Sequence, residues 1–306
     1  MCNIKYKYLK SKLILTLNLT LILILTGCHY YNISNDPNNI AIKANLNKQL
    51  NYTKKFIITS YSKSQLSPQN LELHQQLFIY IEGDGQAWIS KYRLSNNPTP
   101  TDPVTLKLAA LDPHPNVLYI ARPCQFTDLK LDLNCHNKYW SESRYSIEVV
   151  NSINEVINDF KLSIIKNKKH QQHKQFQVGI HLIGYSGGAT IAGLVASIRN
   201  DITSIRTIAG NLDHDAVSNF HKTTKLKDSL NLIDYIPKIK HIPQIHYIGE
   251  YDQIIPVSII KNFVTQVNHA NDSNLHCAKY TIIKSIDHYQ GWENFWQYAI
   301  KEIPKC

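Results

Sequence analysis

Three of the 11 glycines in this 306-residue chain fall within five positions, Gly184-Tyr185-Ser186-Gly187-Gly188, with a serine between them. A serine hydroxyl becomes a nucleophile only where its oxygen projects from the backbone and a base stands close enough to take its proton. Gly-x-Ser-x-Gly meets the first need when a strand runs in and a helix runs out. The serine then sits on a sharp, strained turn, and side chains at 184 or 188 would collide with the neighbouring strand or helix. Here the apolar run Val178-Gly179-Ile180-His181-Leu182-Ile183 leads in, and the small-residued stretch 188–199 leads out with a helical pattern. The N–H of Gly187 would face an incoming carbonyl, and the helix start adds partial positive charge there. The base and its orienting acid must come from farther along. Carboxylates lie in Gly249-Glu250-Tyr251-Asp252-Gln253-Ile254-Ile255-Pro256, and an imidazole lies in Ser285-Ile286-Asp287-His288-Tyr289-Gln290-Gly291.

Such groups meet only if the chain delivers them to one edge of a sheet. Short apolar runs predict strands at 56–59, 77–82, 117–121, 178–183, 205–209, 244–248 and 278–283. Several are continuous Ile/Val/Leu/Tyr, as strands covered on both faces require. Between them, Val149, Val150, Ile153, Val156, Ile157, Phe160 and Ile164 recur at helical spacing within 146–166. Further helices are predicted at 188–199, 254–268 and 292–301, and the 34-residue connection 210–243 has room for a small cap. Alternation of strand and helix implies an α/β fold with a mostly parallel central sheet and helices on both faces. His170 and His173 lie in the polar run 166–175 and read as loop residues rather than metal ligands.

Together Tyr80-Ile81-Glu82-Gly83-Asp84-Gly85, Arg122-Pro123-Cys124-Gln125-Phe126, the Ser186 turn and the Gly249–Asp252 segment with Pro256 resemble the α/β-hydrolase superfamily. More narrowly they resemble uncharacterised bacterial α/β-hydrolase lipoproteins, over roughly residues 55–306. The resemblance implies the α/β-hydrolase fold and the chain order serine, acid, histidine. It points to Ser186 as nucleophile, Asp252 as acid and His288 as general base. Glu250 is the near rival for the acid, and Asp213 and Asp215 are outside candidates. Among 14 histidines only position argues for His288, while His214 belongs with the region over the site. The implied oxyanion hole uses the backbone N–H groups of Gly187 and Asp84. An acidic Glu82–Asp84 pair there would oppose developing negative charge unless turned away or paired, with Arg122 or Arg144 as partner. Arg122, Gln125 and Trp88 follow strand ends and are expected to line the pocket.

The N-terminus reads as a targeting segment. Lysines at 5–12 precede the apolar run 13–25, too short to span a bilayer comfortably, and Leu25-Thr26-Gly27-Cys28 resembles the bacterial lipobox. That resemblance implies a signal peptide over 1–27, lipidation of Cys28 and, with no Asp at position 29, the periplasmic face of the outer membrane. Several acyl chains are needed for firm anchoring, at about 0.8 kcal/mol per buried CH₂. Asn-rich residues 28–52 are expected to be a flexible tether and 53–306 the hydrolase domain. Four further cysteines, Cys124, Cys135, Cys277 and Cys306, suit two disulfides in an oxidising compartment. Three pairings are open; Cys124–Cys135 and Cys277–Cys306 are the local choices, the first closing a short loop at about 3 kcal/mol. No Cys-x-x-Cys spacing suggests zinc, so neither metal nor cofactor is expected.

The net charge of +10 shrinks once Lys5, Lys7, Lys10 and Lys12 leave with the leader, since 29 basic residues then face 23 acidic ones. Without an Arg-rich run or basic–aromatic interleaving, nucleic-acid binding is not expected. The sequence therefore predicts a monomeric, lipid-anchored serine hydrolase acting on a carboxylic ester, acyl or lipid-derived. An acyltransferase, a peptidase or a non-catalytic envelope-binding lipoprotein are the alternatives.

Overall fold

The structure is a computed structural model that describes residues 35–64, 74–90, 92–168, 177–271 and 275–306. The leader, Cys28, His170 and His173 lie outside the described residues. The chain opens with α1 (Pro37–Lys43), β1 (Asn47–Tyr52), β2 (Ile57–Ser64) and β3 (His74–Ile81). A small hairpin, β4 (Trp88–Ser90) and β5 (Arg93–Leu94), precedes α2 (Val104–Ala110) and β6 (Asn116–Ile120). Then come α3 (Ile147–Lys168), β7 (Gln177–Tyr185), α4 (Gly187–Ala196), β8 (Ile202–Ile208), α5 (His214–His221) and α6 (Ile236–Ile239). The chain finishes with β9 (Gln244–Gly249), α7 (Val257–His269), β10 (Ala278–Ile283) and α8 (Trp292–Ala299).

Eight strands form one sheet in the order β1-β2-β6-β3-β7-β8-β9-β10. From β6 to β10 every neighbouring pair is parallel, whereas β1 and β2 run antiparallel at one edge. The central strands separate two cores by simple alternation. Leu77, Ile79 and Ile81 of β3 join Leu182 and the apolar faces of α3, α4 and α7 on one side. Phe78 and Tyr80 join Tyr247, α2 and the Trp292/Trp296 face of α8 on the other. Each such side chain, fully removed from water, contributes about 1.5–3 kcal/mol, which is why a register slip in β3 is not tolerated.

The tether expectation fails from Pro37 onward. Asp36 accepts hydrogen bonds from the N–H groups of Asn38 and Asn39, and Pro37 supplies the preset φ of a first helical turn. Ala41 and Leu46 are buried in the second core, and β1 pairs with β2 along Asn47–Tyr52. Five of six β1 side chains are exposed, so no alternating pattern marks it; it is held by backbone pairing and by Asn51, whose amide donates to the Ile58 carbonyl.

Topology fixes where a site forms. The chain runs from β3 outward to β6, then returns past β3 to β7, so the connections after β3 and β7 leave in opposite directions. A crevice opens at such a switch point, outside the carboxyl ends of the strands. Ser186 follows β7, Asp84 follows β3, Asp252 follows β9 and His288 follows β10, all at that edge.

Candidate active site

Ser186 has φ 49° and ψ −120°, a left-handed conformation that a residue with a Cβ adopts only under constraint. The constraint is visible on both sides. Its N–H donates to the Ile208 carbonyl, and its own carbonyl accepts from Ala189 and Asn211. The turn leaves no room behind it, because a Cβ on residue 188 would lie 2.2 Å from the Ile81 carbonyl oxygen.

The Ser186 Oγ stands 3.1 Å from His288 Nε2, and His288 Nδ1 stands 2.9 Å from Asp252 Oδ2. Asp252 Oδ1 accepts from the N–H groups of Ile254 and Ile255, both at 2.8 Å, so this carboxylate is fixed by its own turn. It does not cap α7, whose N-cap is Pro256. The histidine is fixed through its backbone: its carbonyl accepts from the Tyr185 hydroxyl and from the Trp292 indole, each at 3.0 Å. Both side chains are buried, His288 at 5% and Asp252 at 0% exposure.

The rival acids are engaged elsewhere. Glu250 accepts from the Ser285 N–H, Asp213 caps α5 and holds Asn231, and Asp215 pairs with Lys225. His214 is buried at the start of α5, its ring stacked on Tyr145 at 5.6 Å. Burial lowers its pKa against the opposing pull of Asp215.

On the other side of the serine, the two acids of the Glu82-Gly83-Asp84 turn part company. Glu82 points into the second core, accepting from Thr105 Oγ1 at 2.7 Å, the Gly83 N–H at 2.9 Å and the Tyr119 hydroxyl at 3.0 Å. Burial raises its carboxyl pKa in spite of these donors. Asp84 instead meets Arg122 at 3.2 Å, Arg144 at 2.9 Å and the Tyr145 hydroxyl at 2.8 Å. Burial pushes its pKa up, but Arg144 and Arg122 outweigh that and hold it below the usual carboxylate value. The clamped carboxylate packs directly on Gly187: a Cβ there would fall 2.1 Å from Asp84 Oδ1 and 2.7 Å from the Tyr145 hydroxyl. Neither the Asp84 N–H nor the Gly187 N–H has an acceptor among the described residues.

A cleft of about 480 Å³ opens over Ser186, lined by Asp84, Gln86, Trp88, Arg144, Ile254 and His288 among others. Arg122 and Gln125, expected in its wall, lie beneath it instead. Arg122 is 4% exposed and also reaches the Arg144 carbonyl, while Gln125 donates to the Gly83 carbonyl at 3.0 Å. They brace the turn from below, Arg122 through Asp84 and Gln125 through the Gly83 carbonyl and the Arg122 N–H, in a loop closed by the Cys124–Cys135 disulfide. The second disulfide, Cys277–Cys306, ties the chain end to the start of β10. Tyr145 and Thr105 went unrecognised in the sequence; each acts across the fold on a residue at least 23 positions away, and no local pattern marks them. Among the described residues no group of three His, Cys, Asp or Glu could hold a metal ion, and no helix is long and apolar enough to cross a membrane.

No family model matches the sequence, and no curated protein matches it. Solved structures do resemble the fold. A puromycin hydrolase aligns with TM-score 0.53 at 10% identity, over 83% of this chain and 38% of its own. The esterase Pf2001 of Pyrococcus furiosus has TM-score 0.48 at 13% identity, over 84% and 90% of the two chains. Est1E from Butyrivibrio proteoclasticus has TM-score 0.48 at 11% identity, over 83% and 96%. At 10% identity the likeness to the puromycin hydrolase speaks to the fold alone, a mixed, mostly parallel α/β sheet covered on both faces.

Proposed function

We propose that this protein is a serine hydrolase that cleaves a carboxylic ester through an acyl-enzyme. One observation carries the reading: a single histidine bridges Ser186 Oγ and the Asp252 carboxylate at 3.1 and 2.9 Å. A serine on a strained turn, an imidazole in reach and a buried carboxylate on the far ring nitrogen form the constellation that acyl transfer needs. In this reading Ser186 Oγ attacks the ester carbonyl as its proton passes to His288 Nε2. Asp252 orients the ring and stabilises the imidazolium. The N–H groups of Gly187 and Asp84 receive the developing oxyanion, for which they hold no competing partner. His288 then protonates the departing alcohol, and water repeats the sequence to release the acid. A peptidase recognising a substrate amine would want a free carboxylate in the cleft, but Glu82 and Asp84 are hydrogen-bonded and Asp102 pairs with Lys107.

We propose further that lipids on Cys28 hold the enzyme at the periplasmic face of the outer membrane. Labelling with a fatty-acid analogue, abolished in Cys28→Ala, is the expected result; unchanged labelling would remove the anchor. For the chemistry, acid release from a panel of short to long esters is expected from the parent protein and not from Ser186→Ala. Equal rates from both would remove Ser186 from the reaction.

A further inference from the structure

Two guanidinium groups answer the one carboxylate of Asp84, and they are not equivalent. The Arg122 side chain is 4% exposed and lies beneath the turn, whereas that of Arg144 is 16% exposed and lines the serine cleft. Asp84 cancels one positive charge, so the cluster keeps one in excess, and the part of it that faces the cleft is Arg144. The Asp84 carboxylate packs on Gly187 in turn, which sets this charge one carboxylate away from the proposed oxyanion hole.

Arg144 is held still and yet not saturated. Its Nε donates to the Ser141 carbonyl at 2.7 Å and its Nη1 to Asp84 Oδ2 at 2.9 Å. Nη2 makes no hydrogen bond to protein among the described residues, and it is not sealed from water as Arg122 Nε is. The Tyr145 hydroxyl close by is already given to Asp84. A fixed guanidinium with an unpaired N–H group is pre-organised for an oxyanion and loses little side-chain freedom on binding one. The carboxylates that could oppose such a group are occupied. Asp84 is clamped, Asp102 lies 2.5 Å from Lys107, and Glu82 points into the second core onto three donors. An adjoining cavity of about 730 Å³, which Arg144 also lines, sets Lys222 and Lys225 against the exposed Glu142. Lys225 is paired with Asp215, but Lys222 has no carboxylate in salt-bridge reach among the described residues.

We propose that the substrate ester carries an oxyanion, a carboxylate or a phosphate, and that Arg144 recognises it. The proposal rests on the serine-hydrolase reading and leaves its chemistry unchanged. The ester C–O bond breaks, the acyl carbon joins Ser186 Oγ, and the alcohol oxygen leaves with the proton from His288. Water then returns the acid and the free serine. The substrate's anion takes up the positive charge that Asp84 leaves over, so the surroundings of the oxyanion hole do not turn negative.

The test uses the full chain and matched esters. For an anion on the alcohol half, meta-acetoxybenzoate and meta-acetoxyphenyl phosphate are compared with methyl meta-acetoxybenzoate. For an anion on the acyl half, monoethyl adipate is compared with diethyl adipate. The expected kcat/KM is at least about tenfold higher for the anionic ester in one arm, which also assigns the half that carries the charge. Arg144→Met is expected to lower this ratio about tenfold, beyond any loss that the two esters share. On the unsubstituted protein the advantage should shrink as NaCl rises from about 0.02 to about 0.5 M, a reading that needs no variant to fold. Neutral esters turned over as fast in both arms, or an anionic advantage intact in Arg144→Met, would overturn the oxyanion assignment while leaving the hydrolase standing. Turnover of no ester, together with an unreactive Ser186, would overturn both.

Discussion

Two carboxylates flank Ser186, and they are treated in opposite ways. Asp252 accepts two backbone N–H groups and His288, and no Arg or Lys pairs with it among the described residues. Asp84 is held by two guanidinium groups and a phenol. The difference matches where charge would develop in the proposed acyl transfer. A carboxylate behind the imidazole must keep its negative field, since that field favours the imidazolium. A carboxylate beside the oxyanion would work against the reaction. At about 4 Å and an effective dielectric near 20, two like charges repel by about 4 kcal/mol, close to a thousandfold in rate. Arg122 and Arg144 cancel that repulsion while their geometry holds the turn that carries the Asp84 N–H.

This contrast predicts a graded set of losses. Removing the proton carrier costs most: His288→Ala is expected to lower kcat by about 10⁴–10⁶-fold. Asp252→Asn, which keeps the shape but loses the charge, is expected to lower it about 10⁴-fold with KM little altered. A loss below about tenfold in either would break the assignment of that side of the serine. Steady-state kinetics on a soluble ester reads both.

The opposite side is expected to respond differently. Asp84→Ala leaves Arg122 and Arg144 facing each other without an anion, and both activity and stability should fall. The expected rate loss is about 10²-fold, in line with a displaced oxyanion donor, and the stability loss is about 3–5 kcal/mol by urea denaturation. An unaltered protein would show that the clamp does nothing for the turn. Tyr145→Phe removes one donor and keeps the ring, so a loss of about three- to tenfold in kcat is expected. A change confined to KM would assign Tyr145 to substrate contact instead.

Acid pH separates the clamp from the scaffold. His181 and His246 are buried in the sheet, and burial lowers their pKa values to about 4 and about 3. Unfolded histidine titrates near 6.5, so the unfolded chain gains protons first as pH falls below that value. Their stabilising contribution is thus full above pH 6.5 and is lost between there and the lowered values. The expected slope is about 1.4 kcal/mol per pH unit for each histidine. Asp84, held below the usual carboxylate value, keeps its charge through most of this window and gives up its contribution only as pH falls through that lowered value. Urea midpoints from pH 7 to pH 4 are expected to decline, less steeply in His246→Phe. An equal decline in that variant would exclude this origin.

The legibility of these two sides in the sequence differs for a physical reason. The Ser186 turn is a local object, with strand, glycines and helix within about 20 residues, so composition and order are enough to find it. Asp252 and His288 could be picked as candidates because each follows a strand end, and parallel strands deliver their C-terminal ends to one edge. The clamp has no such local sign. Arg122, Arg144 and Tyr145 lie 38, 60 and 61 positions from Asp84, and only folding brings them together. Arg122 and Arg144 could be suspected from charge alone, whereas nothing local marked Tyr145. Gln125 and Arg122 were expected in the pocket wall because they follow a strand, but their side chains turn to the Gly83 carbonyl and to Asp84 beneath it. The first helix and edge strand stayed hidden for the opposite reason. The β1 side chains face water and α1 buries only Ala41 fully, so periodicity is silent, and only Asp36-Pro37 carried a helix-start signal.

The central claim, that Ser186 is activated by His288, is tested most directly by a fluorophosphonate adduct located by mass spectrometry. The account predicts one covalent adduct on Ser186, formed rapidly in the parent protein and lost in Ser186→Ala. Its formation should slow by orders of magnitude in His288→Ala. An unlabelled, folded protein, or labelling as fast in His288→Ala as in the parent, would contradict it.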